Sequence, residues 1–265
     1  MPLRFWFIVL CLVLSFTGCG GTPPAVPTPI VPELIDLSYA FDENTVYWPN
    51  NESFEHKQVA FGRTPTGYWY SSYTFAGSEH GGTHLDAPIH FAEGKQSVEQ
   101  IPMQRHIGLG VKISVADKVA DDRDYRITAA DIQAWEQRMG TVPVGAIVLF
   151  HTGWGQHWGN RTAYLGTEKL NDPSDLHFPG IARDAAELLV QRRVSMVGID
   201  TASLDHGPSK DFIAHQVLNG ADIPGLENVA NLERLPERGY LIAALPMKIA
   251  GGSGAPCRIV AIVSR

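Results

Sequence analysis

Pro179-Gly180-Ile181-Ala182-Arg183-Asp184-Ala185-Ala186-Glu187-Leu188-Leu189-Val190-Gln191-Arg192-Arg193-Val194-Ser195-Met196-Val197-Gly198-Ile199-Asp200 reads as a helix followed by a strand. Ile181, Ala185, Leu188 and Leu189 fall on one helical face. Val194 to Ile199 is a nearly continuous apolar run, which suits a strand covered on both sides. The same order occurs upstream. Thr128-Ala129-Ala130-Asp131 opens a helix that ends near Gly140, with Thr128 as cap and Asp131 at the positive end. Ala146 to Phe150 is the buried strand after it. Helix, strand, helix, strand indicates an α/β architecture. Ligands in such folds gather beyond the carboxyl ends of the strands, where His151 and Asp200 would sit.

Outward from this core, Leu34 to Tyr39 and Val111 to Val115 read as strands. Phe54 to Phe61 and Tyr68 to Phe75 form a hairpin through Thr64-Pro65-Thr66-Gly67. The second arm is rich in aromatics (Tyr68, Trp69, Tyr70, Tyr73). These rings and Trp48 are candidates for stacking on a flat substrate. Asp211 to Leu218 reads as a short helix carrying His215. No repeat and no second linker divides residues 33–265, so they form one domain.

Residues 1–19 read as a targeting segment. Arg4 precedes the apolar run Phe5 to Leu14, which is too short to span a bilayer. Ser15-Phe16-Thr17-Gly18-Cys19 resembles a lipobox, although Phe16 stands where Leu is more usual; Cys19 is the expected lipidation site, and an ordinary secretory signal or an uncleaved anchor is the alternative. Residues 20–32 are a Pro-rich, extended tether. The expected location is outside the cytoplasm, anchored by lipid to a bacterial membrane. Of the three cysteines, only Cys257 lies in the body, so no internal disulfide forms there. The net charge of −7, without a basic stripe, argues against nucleic acid as a partner.

The chemistry concentrates in Ser78-Glu79-His80-Gly81-Gly82-Thr83-His84-Leu85-Asp86-Ala87-Pro88-Ile89-His90-Phe91. The spacing is H-x3-H-x-D-x3-H. Imidazole and carboxylate are ligands that zinc or manganese accepts. Gly81 and Gly82 open backbone angles closed to other residues, and Pro88 blocks a regular helix. The stretch therefore reads as a loop that leaves a strand and wraps a metal. His215 and Glu227 supply further ligand types from a distant segment.

His80-Gly81-Gly82-Thr83-His84-Leu85-Asp86-Ala87-Pro88-Ile89-His90 is similar to the H-x-G-T-H-x-D-x-P-x-H signature of the cyclase-like metal-dependent hydrolases. That family includes kynurenine formamidases and isatin hydrolases. Gly198-Ile199-Asp200-Thr201, His215 and Glu227-Asn228 resemble its later motif. Leu245-Pro246-Met247-Lys248, Gly251-Gly252-Ser253-Gly254 and Arg258 do likewise. The resemblance implies a swivelling β/α/β fold with a mixed sheet, usually in a homodimer or larger oligomer. It implies His80, His84 and Asp86 as ligands of one divalent metal, with Asp86 bridging to a second held by His215 and Glu227. It implies His90 as the catalytic acid/base. One or two zinc or manganese ions per chain are expected.

A bound divalent cation would bring the pKa of water from about 15.7 toward 7, which suits hydrolysis of a C–N bond in an aryl formamide or cyclic amide. His90 could act as base and then acid, or be a third ligand. Trp48, Lys248, Ser253 and Arg258 are candidate substrate contacts. Asp200 could orient a ligand histidine or cap the end of its strand. The glycine run 251–254 lacks the spacing of a phosphate loop. Two other readings share these residues: a cyclase, dehydratase or lactonase on the same scaffold, and a lipid-tethered metal- or solute-binding protein.

Overall fold

The apolar strands and capped helices assemble as the pattern requires. The computed structural model describes residues 32–169 and 171–264. The leader, Cys19 and the tether before Pro32 lie outside the described residues. In chain order the strands are β1 (Glu33–Asp36), β2 (Glu55–Arg63), β3 (Trp69–Ala76), β4 (His84–Asp86), β5 (Ile107–Ser114) and β6 (Arg126–Ile127). They continue as β7 (Ile147–His151), β8 (Gly180–Ile181), β9 (Met196–Ile199), β10 (Gly225–Glu227), β11 (Arg238–Pro246) and β12 (Gly254–Val263). The helices are α1 (Ala116–Asp121), α2 (Ala129–Met139), α3 (Arg161–Leu165), α4 (Arg183–Arg192) and α5 (Ile213–Gly220).

The main sheet has the order β1-β12-β11-β5-β7-β9-β10-β4, and β4 pairs back onto β12. Seven strands, β12 through β4, thus close into a barrel-like ring, with β1 added alongside β12. β5, β7, β9 and β10 run parallel, while β11, β12 and β4 are antiparallel to their neighbours. Closure leaves the ring without an unpaired edge.

Side-chain alternation explains the two cores. Ile147 and Leu149 of β7 point into the ring, with Leu85, Leu226, Ile242, Ile259 and Ala261. Val148 and Phe150 point out against Ile132 and Trp135 of α2 and Ala185 and Leu189 of α4. Both faces of β7 are therefore buried, as its unbroken apolar run demands. Thr128 and Asp131 form a capping box at the start of α2, a feature worth about 0.5–2 kcal/mol.

The expected α/β class with a mixed sheet holds, and the structure adds to it or corrects it in three details. The sheet closes on itself, a feature the sequence pattern does not specify. Residues 238–263, to which the sequence pattern assigns no element, form β11 and β12. The His80–His90 stretch is not loop throughout, because His84, Leu85 and Asp86 form β4. A strand of three residues is too short for periodicity to reveal; its partners on both sides hold it.

Candidate metal centre and active site

The register of β4 builds half of the centre. A strand turns alternate side chains to opposite faces, so His84 and Asp86 share one face while Leu85 enters the core. β10 lies antiparallel, with Glu227 opposite His84 and Gly225 opposite Asp86. Glu227 therefore reaches the same face. The glycines before β4 act in two ways. Gly82 adopts φ +56°, a left-handed angle that glycine tolerates without strain. Gly81 has ordinary angles but no room, since a Cβ there would lie 2.1 Å from the Tyr47 ring.

Helix α5 supplies the other half. The backbone N–H groups of Ala214 and His215 donate to the Asp205 carboxylate at 2.9 and 3.2 Å. Asp205 thus anchors the first turn of the helix, and its Oδ2 also lies 2.7 Å from His215 Nδ1. With the backbone donors already on it, this carboxylate acts as acceptor, so Nδ1 carries the proton and Nε2 points its lone pair inward. His84 is arranged in the same way. Its Nδ1 donates to the Gly82 carbonyl at 2.9 Å. Its Nε2 is buried without a hydrogen-bond partner.

These inward nitrogens face two carboxylates. His84 Nε2 is 3.2 Å from Asp86 Oδ1 and 3.5 Å from Glu227 Oε2. His215 Nε2 is 3.3 Å from Asp86 Oδ2 and 3.1 Å from Glu227 Oε1. His80 Nδ1 is 2.7 Å from Asp86 Oδ1. Lone pairs and carboxylate oxygens packed this closely need a cation among them. His80, His84 and Asp86 form one candidate ligand group, and Asp86, His90 and His215 a second, around a shared carboxylate. The donor set and its outer hydrogen bonds fit a divalent metal such as zinc or manganese.

Protons take the place of such a cation in the protein alone. Burial works against the His84 imidazolium, but Asp86 and Glu227 outweigh it and raise the group to about 9. His215 is also raised, by Asp205, Asp86 and Glu227 acting against burial. Burial likewise opposes the Asp86 carboxylate, yet the surrounding imidazoles hold it well below its ordinary value. Metal uptake at neutral pH must therefore expel protons. Affinity should rise with pH until His84 is neutral, near 9. Titration calorimetry with zinc in two buffers of different ionisation enthalpy should show net proton release. Equal heats in both buffers would contradict this charge balance.

The chain matches a family model described as "Putative cyclase" over residues 35–206. The chain belongs to the cyclase family. It is 33% identical to an isatin hydrolase of Roseibium aggregatum over 195 residues, 71% of this chain and 73% of that protein. It is 29% identical to a kynurenine formamidase of Salinibacter ruber, covering 86% of this chain and 96% of the other. Among solved structures, isatin hydrolase A from Ralstonia solanacearum superposes with a TM-score of 0.79 at 31% identity, over 88% of this chain and 92% of that one. An isatin hydrolase bound to the product analogue thioisatinate gives 0.80 at 28% identity, over 88% and 93%. Family and site together make the protein a metal-dependent hydrolase of C–N amide bonds.

The remaining residues singled out in the sequence scatter. This cyclase-family hydrolase has a cavity of about 210 Å³ lined by His80, His84, His90, His215 and Glu227 on its polar side. Trp48, Phe91 and Phe212 line it too. His90 stacks on His80, with ring centroids 3.8 Å apart. Lys248 is exposed beside another hollow, with Glu99 and Met103. Arg258 is exposed and pairs with Asp36 at 2.7 Å. Neither lines the site cavity. Ser253 is hydrogen-bonded to His80 Nε2 at 2.9 Å, behind the ring. The hairpin aromatics Tyr68, Trp69, Tyr70 and Tyr73 project into solvent. Asp200 caps its strand end, accepting from Thr152 and Gly153, and makes no hydrogen bond to a ligand histidine. Cys257 is buried, and burial raises its thiol, consistent with an inert packed group.

Sequence reasoning missed Asp205, Phe91 and Phe212. Asp205 is ten residues from His215, across a turn, and no helical spacing links them. Phe91 and Phe212 carried one usable signal: each is an aromatic next to a motif residue or to the start of the helix that bears one.

Proposed function

We propose that the substrate is a small, neutral, planar cyclic amide of the isatin type, opened by water at its C–N bond. The observation that carries this reading is the cavity wall. Trp48, Phe91 and Phe212 offer aromatic faces, and no Lys or Arg is among the described residues lining it. N-formylkynurenine carries an ammonium and a carboxylate, and no Lys or Arg on this wall stands ready to pair with that carboxylate as it loses hydration. A neutral bicyclic amide loses far less.

A cation held by His80, His84, Asp86, His215 and Glu227 would supply Lewis acidity to the amide carbonyl and lower the pKa of water. His80, His84 and Asp86 form one ligand group, and His215 lies between the same Asp86 carboxylate and Glu227, an arrangement that suits one or two ions, zinc or manganese. The protein's own groups do the rest. Burial, partly offset by Asp86, pushes His90 down to about 3, so its imidazole is neutral at pH 7, with a free lone pair but lower basicity than an exposed imidazole. His90 takes a proton from the water as its oxygen bonds to the carbonyl carbon. It returns that proton to the nitrogen as the C–N bond breaks. Aromatic walls hold the ring plane and limit bulk water.

The test uses protein loaded separately with zinc and manganese, with a chelated control. Chelator-sensitive opening of isatin, faster than deformylation of N-formylkynurenine, is the expected result. Preference for N-formylkynurenine would reverse the substrate assignment. Silence with both would redirect the search to lactones and other cyclic amides.

This reading includes assembly and location. The β2–β3 hairpin forms its own two-stranded sheet, and such ribbons are marginal in water unless covered. It exposes Val59, Phe61, Trp69, Tyr70 and Phe75, each at least half accessible. A second copy of the chain is the occupant proposed for this patch, giving a homodimer or larger oligomer. Light scattering should find an oligomer that F61S/W69S converts toward monomer; a monomeric wild type would refute it. The swivelling β/α/β class stays with this reading, supported by the parallel β5–β7–β9 core. So does membrane attachment through lipidated Cys19, outside the cytoplasm. Mass spectrometry of the membrane-fraction N-terminus checks this attachment, and an unmodified Cys19 would contradict it.

A further inference from the structure

We propose that Glu79 and Ser253 are positioning residues that fix the tautomer and plane of His80 for metal binding. The inference rests on the reading of His80 as a ligand and extends it to the groups behind the ring.

Three donors converge on Glu79 Oε2: the Ser253 N–H at 2.8 Å, the Ser253 hydroxyl at 2.8 Å and the Gly254 N–H at 3.2 Å. An oxygen that receives three donors acts as acceptor only. The single hydroxyl proton of Ser253 is thereby committed to Glu79. Ser253 Oγ, 2.9 Å from His80 Nε2, must then accept from that nitrogen. Nε2 carries the ring proton, and Nδ1 presents a lone pair. Nδ1 is the atom that faces Asp86 Oδ1 at 2.7 Å. The chain Nε2–H to Oγ–H to Oε2 therefore aims the lone pair of His80 where a cation would sit.

The glycine run finds its use in the same place. A Cβ at residue 254 would lie 2.5 Å from His80 Cε1, so only glycine seats the ring there. A Cβ at residue 252 would press on Glu79 Oε1 at 3.2 Å and on Ile249 at 3.0 Å. Backbone bonds from Ala87 N–H to Ser253 O and from Val98 N–H to Gly252 O fasten this turn to the segments after Asp86. The seam where β12 closes onto β4, Gly254 opposite Asp86, is thus also the bracket for His80. His90 stacks on the bracketed ring, so the relay bears on the acid/base group as well.

S253A removes the hydroxyl alone and leaves both backbone donors on Glu79. The expected result is zinc affinity lower by about 10–100-fold, the usual effect of losing a group that orients a ligand. The visible spectrum of the cobalt-substituted protein should shift, and S253T should restore both. A purely structural latch would instead lower the melting temperature and leave zinc affinity and the cobalt spectrum unchanged, which would overturn the proposal. Non-additivity is the second test. In an H80A background, S253A should have no further effect on zinc affinity; a full additional loss would show that Ser253 acts elsewhere. If H80A binds zinc as tightly as the wild type, the ligand reading itself fails, a result distinct from failure of the relay.

Discussion

Asp86→Asn should cost both the metal and the reaction. This carboxylate is buried, with Oδ1 2.7 Å from His80 and 3.2 Å from His84, and Oδ2 3.3 Å from His215. An amide of the same shape keeps the volume but removes the negative charge that all three imidazoles face. It also places N–H donors against nitrogen lone pairs. Lewis acidity contributes several kcal/mol of transition-state stabilisation, so its loss corresponds to a rate on the order of 10³-fold lower or worse. Elemental analysis should find little bound zinc or manganese, while circular dichroism keeps the wild-type fold. Full metal content at the wild-type rate would remove Asp86 from the centre. Glu227 then remains opposite His84; it loses the repulsion of Asp86, but burial, the larger cause, still raises its carboxyl. It is a poor substitute for a carboxylate that stays ionised.

His90→Ala should separate chemistry from coordination. The imidazole lines the cavity, stacks on His80 and is pushed by burial to about 3, so at neutral pH it is an unprotonated base. Loss of such a group lowers kcat by about 10²–10⁴-fold. Metal content should not change, because His80, His84, Asp86, His215 and Glu227 all remain. The sign with pH follows from the depressed value. His90 stays neutral until strongly acid pH, whereas the ligands His84 and His215 gain protons more readily. An acid limb in the wild-type rate should therefore track loss of metal, and excess zinc should move it to lower pH. A drop in metal content in H90A would instead make His90 a ligand, as its place within the second candidate group allows.

Much of this was legible in residues 80–90. Three imidazoles and one carboxylate interleaved with two glycines and a proline state their chemistry locally, and the structure brings all four to one cavity or its wall. The helices were legible as well. α2 begins at the Thr128 cap, and α4 lies within the span drawn from its apolar face, although Ile181, read as part of that face, belongs to β8. The substrate contacts were less legible. Lys248 follows β11 and Arg258 lies in β12, both in motif segments, but sequence cannot say which way a side chain points when its spatial neighbours are unknown. Arg258 sits on β12 with its side chain outward, paired to Asp36 of β1. Gly81 illustrates the same limit. Its glycine character is visible in the sequence, but the reason for it, the Tyr47 ring, is a distant residue.

The sequence by itself determined the local states and the donor chemistry. Turn residues, caps and periods of 2 or 3.6 act over a few neighbours. Only the tertiary structure decided that β4 lies between β10 and β12. That choice brings Glu227, His215, Ser253 and Glu79 around one point and closes the ring. Thr83 bonds to Asn228 across 145 positions, and His80 to Ser253 across 173. Contacts of such reach must offset the entropy of closing long loops, and no single pair does so. They form because the apolar interior shared by the barrel strands is buried all at once, and that sum is not written in any one segment.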